Sequence, residues 1–151
     1  MLFLFDTNVI LLYLRNPVFK QFINNNYKPF DSQDSAVISV VSVGELKSLT
    51  IKNKWGKLRV KDLEDFLSRF VIADINNEDI LQRYAEIDAF SQGRLSGKPL
   101  KMSARNMGKN DLWIAATAWV LGAVLLTTDN DFDHLQDEFL QVDKIEIDKT
   151  I

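Results

Sequence analysis

Residues 110–132 read NDLWIAATAWVLGAVLLTTDNDF. From Asp111 to Leu121 the run is apolar and rich in alanine, with no glycine or proline inside it, which predicts a helix buried over most of its surface. Gly122 follows where a helix commonly ends in the left-handed conformation. Ala123 to Thr127 then predicts a short strand covered on both faces. Asp111 opens the helix and Asp129 stands just beyond the strand. Acids at such element ends differ from acids on a solvated face, because in open α/β sheets the carboxyl ends of adjacent strands share a ligand crevice.

The same alternation extends toward the N-terminus. Leu2 to Phe5 is a wholly apolar run, and Asp6-Thr7-Asn8 supplies turn and cap residues for a helix through about Leu14. Pro17 opens a short helix with Val18, Phe19, Phe22 and Ile23 as its apolar side. Ala36 to Val41 predicts a second strand, and Val43 to about Lys52 a helix carrying Glu45. Leu58 to Arg69 and Asn77 to Phe90 have helical spacing, with a third strand at Phe70 to Ala73 between them, and Phe139 to Ile147 leaves room for a fifth. Strands alternating with helices predict an α/β fold, with a mostly parallel sheet of four to five strands and helices on both faces.

At 151 residues the chain is expected to form a single domain spanning 1–151, and 46% hydrophobic content suffices for a core. The absence of cysteine excludes disulfides, thiolate metal sites and cysteine nucleophiles, and one histidine excludes paired-histidine centres within one chain. A metal here would be held by oxygen, which favours magnesium, manganese or calcium. The opening Met-Leu-Phe-Leu-Phe lacks a basic flank and is too short for a signal peptide or membrane span, so a cytoplasmic protein is expected.

Net charge is −3, yet the distribution is uneven. Leu46 to Lys61 carries six cations and no acid; Phe90 to Asn110 carries Arg94, Lys98, Lys101, Arg105 and Lys109, again with none. Lys101, Arg105 and Lys109 recur every four residues, so a helix there would align them. Two readings stand open, an RNA-backbone strip and a solvated helix face. His134 is expected at the surface, and Trp113 and Trp119 in core packing or a dimer contact.

Asp6, Glu45, Asp111 and Asp129, with Asp131 ranked behind them, each admit a plain reading as a cap, an exposed helix residue or an Asx-turn. Gathered at one sheet edge they repel, each pair at ~4 Å by about 4 kcal/mol at an effective dielectric of ~20. A divalent cation removes that conflict, and the chemistry that follows is metal-assisted phosphodiester hydrolysis.

Taken together, Phe3-Leu4-Phe5-Asp6-Thr7-Asn8, the mid-chain Glu45, Asn110 to Ala118 and Leu125 to Phe132 resemble a PIN domain over the whole chain. The resemblance implies a three-layer α/β/α PIN-like fold. It also implies a ribonuclease dependent on Mg2+ or Mn2+, with Asp6, Glu45, Asp111 and Asp129 as catalytic and metal-binding residues, Asp131 as a further ligand, and Asn8 and Thr128 as polar supports. Single-domain members of this length are mostly VapC-like toxins of toxin–antitoxin pairs. These form homodimers, cleave structured RNA such as tRNA or rRNA, and are silenced by a VapB-like antitoxin whose tail covers the acidic pocket. Three other readings compete: a non-toxin PIN nuclease in RNA processing or DNA cleavage, a catalytically silent interaction module, and a phosphoaspartyl hydrolase. The last needs a second aspartate where this chain has Asn8.

Overall fold

A computed structural model describes residues 1–147. Its first half runs β1 (Phe3–Phe5), α1 (Thr7–Arg15), α2 (Pro17–Asn26), β2 (Ala36–Ser39), α3 (Val40–Lys52), α4 (Lys57–Leu67) and β3 (Val71–Ala73). Two long helices follow, α5 (Glu78–Ser91) and α6 (Lys109–Leu121), then β4 (Val124–Thr127), a 3-10 helix at Asn130–Leu135 and β5 (Gln141–Lys144). The strands form one five-stranded sheet in the order β3-β2-β1-β4-β5. Every pairing is parallel, so the expected mostly parallel sheet is parallel throughout.

Side-chain alternation divides the core into two layers. Phe3, Phe5, Ala36, Ile38, Val124 and Leu126 face one cluster, filled from α1, α2 and α4 by residues such as Ile10, Phe19 and Phe66. Leu4, Val37, Leu125 and Val142 face the other, filled from α5 and α6 by Ile87, Phe90, Leu112 and Ile114. The result is the three-layer α/β/α arrangement. The chain builds β1, β2 and β3 to one side and returns to place β4 and β5 on the other. The carboxyl ends of β1 and β4 therefore flank a topological switch point, where open α/β sheets bind their ligands.

Several local expectations change. The second strand ends at Ser39, whose hydroxyl accepts from Val41 N and starts α3 three residues early. The helix expected from Asp111 begins at Lys109, with Gly108 at its cap, so Asp111 is its third residue and caps nothing. Gly122 does end it, at φ 63°. Residues 101–108 are not helical. A helix would bond Arg105 N to the carbonyl of Lys101, but that amide donates to Ser91 O at 2.8 Å, and Met107 is buried in the second layer. Lys101, Arg105 and Lys109 consequently share no helix face.

His134 is buried at 3% exposure, contrary to the surface position expected for it; the ring runs parallel to Phe90, and Nε2 lies 2.7 Å from Ser91 Oγ. Trp113 packs on Tyr84, and Trp119 on Phe139, under the Arg83 guanidinium. Both therefore serve the packing around α5 and α6.

Candidate active site

β1 ends at Phe5, and Asp6 both follows the strand and caps α1, its Oδ1 accepting from Thr7 N at 2.8 Å. Pairing of Phe5 with Leu126 carries the register one step on, to Asp6 opposite Thr127. The Thr127 hydroxyl donates to Asp6 Oδ2 at 2.8 Å and accepts from Asp129 N at 3.0 Å. One buried hydroxyl thus couples two acids that are far apart in sequence.

Asp129 caps the 3-10 helix, its Oδ1 accepting from Asp131 N at 3.1 Å. Glu45 projects from α3, with Oε1 3.1 Å from the Thr7 hydroxyl. That hydroxyl also lies 2.9 Å from Ser42 Oγ, so donating its single proton to the carboxylate leaves it free to accept from Ser42. Asp111 arrives by topology. Helix α6 feeds β4 and runs back along the sheet, which brings its first turn to the edge where β4 ends. Carboxylate oxygens of Asp111, Asp129 and Asp131 all lie within 4.8 Å of one another.

The electrostatics express the crowding. Burial, reinforced by the Asp129 and Glu45 charges, pushes Asp6 up to about 6 against the hydrogen bonds from Thr127 and Thr7 that pull it down. Burial also raises Asp111, to about 7, with the charges of Asp6, Asp129, Asp131 and Glu45 each adding to the effect. Asp111 therefore feels the charge of all four other acids, and Asp6 that of Asp129 and Glu45. The donor set is wholly oxygen, which suits a hard divalent cation.

The structure brings together the acids singled out from sequence, and moves Asp131 from the lowest rank into the tightest trio. The polar supports differ. Asn8 is exposed on α1, and the hydroxyl that contacts Asp6 is that of Thr127, the last residue of β4, not that of Thr128. Thr7, Ser42 and Thr127 were not anticipated. Ser42 stands one turn before Glu45 on a helix, and Thr127 is a polar residue ending a buried strand, so both carried a spacing signal.

Residues 3–138 match the family model of the PIN domain, and the chain belongs to that family. A curated relative, "Ribonuclease VapC1" of Haemophilus influenzae (strain R2866), is 27% identical over 138 residues, covering 91% of this chain and 94% of that protein. Among solved structures, VapBC2 from Rickettsia felis bound to a promoter DNA fragment has a similar fold (TM-score 0.73, 21% identity), covering 97% of this chain and 100% of that one. VapBC-1 from nontypeable Haemophilus influenzae gives a TM-score of 0.68 at 24% identity, over 95% and 98% of the two chains.

Two predictions follow from the geometry. Thr127→Val, nearly isosteric, strands Asp6 Oδ2 and Asp129 N without partners and is expected to cost about 2–3 kcal/mol in urea denaturation. Thr128→Val is expected to cost under about 0.5 kcal/mol, and equal effects of the two would contradict the register. The second concerns pH. Asp6 and Asp111 sit above the ordinary value of 3.8, so the folded state keeps protons that the unfolded chain has released. Their stabilising contribution is full below that value and lost as pH rises through about 6 to 7. MnCl2 is therefore expected to raise the melting temperature by roughly 5–10 °C at pH 8 and by much less at pH 5. An equal rise at both would count against the coupling.

Proposed function

We propose that this chain is a divalent-metal-dependent endoribonuclease, acting as the VapC-like toxin of a toxin–antitoxin pair. The observation that carries the reading is the convergence of Asp6, Glu45, Asp111, Asp129 and Asp131 at the switch point of the sheet, two of them driven above the ordinary carboxylate range by burial and mutual repulsion. Support for RNA as substrate comes from membership of the PIN family and from the relative named as a ribonuclease. The VapBC complexes of like fold support a small antitoxin partner, and a homodimer is the assembly we expect with it. With RNA as its target, we expect the protein to act in the cytoplasm. Among the described residues no helix is long and apolar enough to cross a membrane.

Asp111, Asp129 and Asp131 would hold a Mg2+ or Mn2+ ion between them, with Asp6 and Glu45 completing the negative field. The cation supplies Lewis acidity, activating water for attack and offsetting charge on the phosphodiester oxygens. The residues do the rest. Thr127 fixes the Asp6 carboxylate and the Asp129 backbone in one relay, and the Asp131 amide holds the Asp129 carboxylate. Thr7 orients Glu45 through Oε1, leaving the other carboxylate oxygen for water or cation. The single histidine is bonded to Ser91 in the second layer, and the chemistry we propose uses carboxylates alone.

Purified protein is expected to cleave RNA in MgCl2 or MnCl2 and to stop in EDTA. Asp6→Asn should lower the rate by about 10²-fold or more while the metal-free protein stays folded, because the change removes a buried charge. Sequencing the 5′ ends of fragments after inducing the two forms in parallel reads this directly. Cleavage that survives EDTA, or persists in Asp6→Asn, would refute the assignment.

A further inference from the structure

An acidic cleft repels the polyanion it is meant to cut, so the approach of the substrate needs a fixed positive charge beside the acids. Of the three cations whose spacing suggested a strip, Arg105 is the one that lines the cavity beside Asp131. A cavity of about 320 Å³ is lined by residues 103–108 and by Asp131, and its lining includes neither Lys101 nor Lys109. The same segment borders a second acid: a Cβ on Gly108 would stand 3.7 Å from Asp111 Oδ2.

Arg105 is half-buried, and among the described residues no carboxylate lies within ion-pair distance of it. Its guanidinium donates to Met102 Sδ at 3.3 Å, a weak acceptor that leaves most of its fork unused. Lys98 on the same segment is spent differently, bonded to Glu138 and set over Phe139. The Arg105 backbone is also anchored. Its amide donates to Ser91 O at 2.8 Å, and the Ser91 hydroxyl meets His134 at 2.7 Å. His134 belongs to the 3-10 helix that starts beside Asp129 and contains Asp131. Ser91 therefore ties the segment bearing Arg105 to the helix bearing the acids. Burial and the nearby Arg105 charge lower His134 to about 4, so the ring stays neutral and adds no second cation behind the wall.

We infer that Arg105 holds a backbone phosphate of the RNA strand next to the phosphodiester presented to the acids, making it the substrate-positioning residue of the cleft. A planar fork suits two phosphate oxygens at once, and a guanidinium keeps its charge at any working pH. The inference rests on the nuclease reading above and goes further, to the group that seats the strand.

The test uses the full chain in the Asp6→Asn background, with fluorescein-labelled unfractionated tRNA as probe and anisotropy in MgCl2 as readout. Adding Arg105→Ala is expected to weaken binding about tenfold and to reduce the slope of log Kd against log salt by about one. Arg105→Lys should recover part of the affinity, and Arg15→Ala, at the far end of α1 from the acids, should change neither quantity. Melting temperatures should match throughout, because the backbone of Arg105 and not its side chain anchors the segment. Should Arg105→Ala lower the melting temperature, Arg105→Gln carries the same expectations. In the wild-type background Arg105→Ala should raise KM with kcat nearly unchanged. Unaltered Kd, salt slope and KM in a protein that still cleaves RNA would overturn the inference alone. Absence of any cleavage by the wild type would instead overturn the nuclease reading.

Discussion

The hydrogen bond from Thr127 to Asp6 spans 121 positions of sequence and exists only because β1 and β4 lie side by side, parallel and in one register. Shift β4 by one residue against β1 and Thr128 would stand opposite Asp6, while Leu125 and Leu126 would turn toward the wrong layers. The packing that fixes the sheet is therefore the same packing that assembles the acids. Phe5, Leu4, Leu125 and Leu126 are all fully buried between two helical layers, so a slip would force side chains into the layer packed for others, and the core enforces the geometry of the cleft. Site and fold are one constraint seen from two ends.

That arrangement sets stability against chemistry. A protein selected for stability alone would not place carboxylates at a half-buried edge within reach of each other, since each raises the energy of the next. The fold tolerates them through local compensation: the α1 amide and the Thr127 hydroxyl both favour the charged form of Asp6. Compensation is partial, as the residual upward displacement of Asp6 and Asp111 records. The remaining tension is what a divalent cation can relieve, and it makes metal affinity a property of the folded sheet.

Much of this was legible in the chain itself. The class of fold followed from short apolar runs alternating with helical spacing, and the acids followed from their places at the ends of those runs. Asp111 was expected to open its helix and stands instead as the third residue, because Lys109 and Asn110 gave no sign that the helix would start just after Gly108. The supports were less visible. Two consecutive threonines are equivalent in a linear reading, and only the pairing register, which sets Thr127 opposite Asp6, separates them. The segment before α6 misled for a different reason. Its four-residue spacing of cations is a genuine helical pattern, overridden by a long-range bond to Ser91 and by the burial of Met107, neither of which local periodicity encodes.

The most direct test of the account is crystallographic. Crystals grown with MnCl2 and measured at the manganese absorption edge should show an anomalous peak within coordination distance of Asp111, Asp129 and Asp131, with Asp6 still bonded to Thr127. A map with no peak at saturating manganese, or a peak elsewhere with the acids turned outward to solvent, would contradict it.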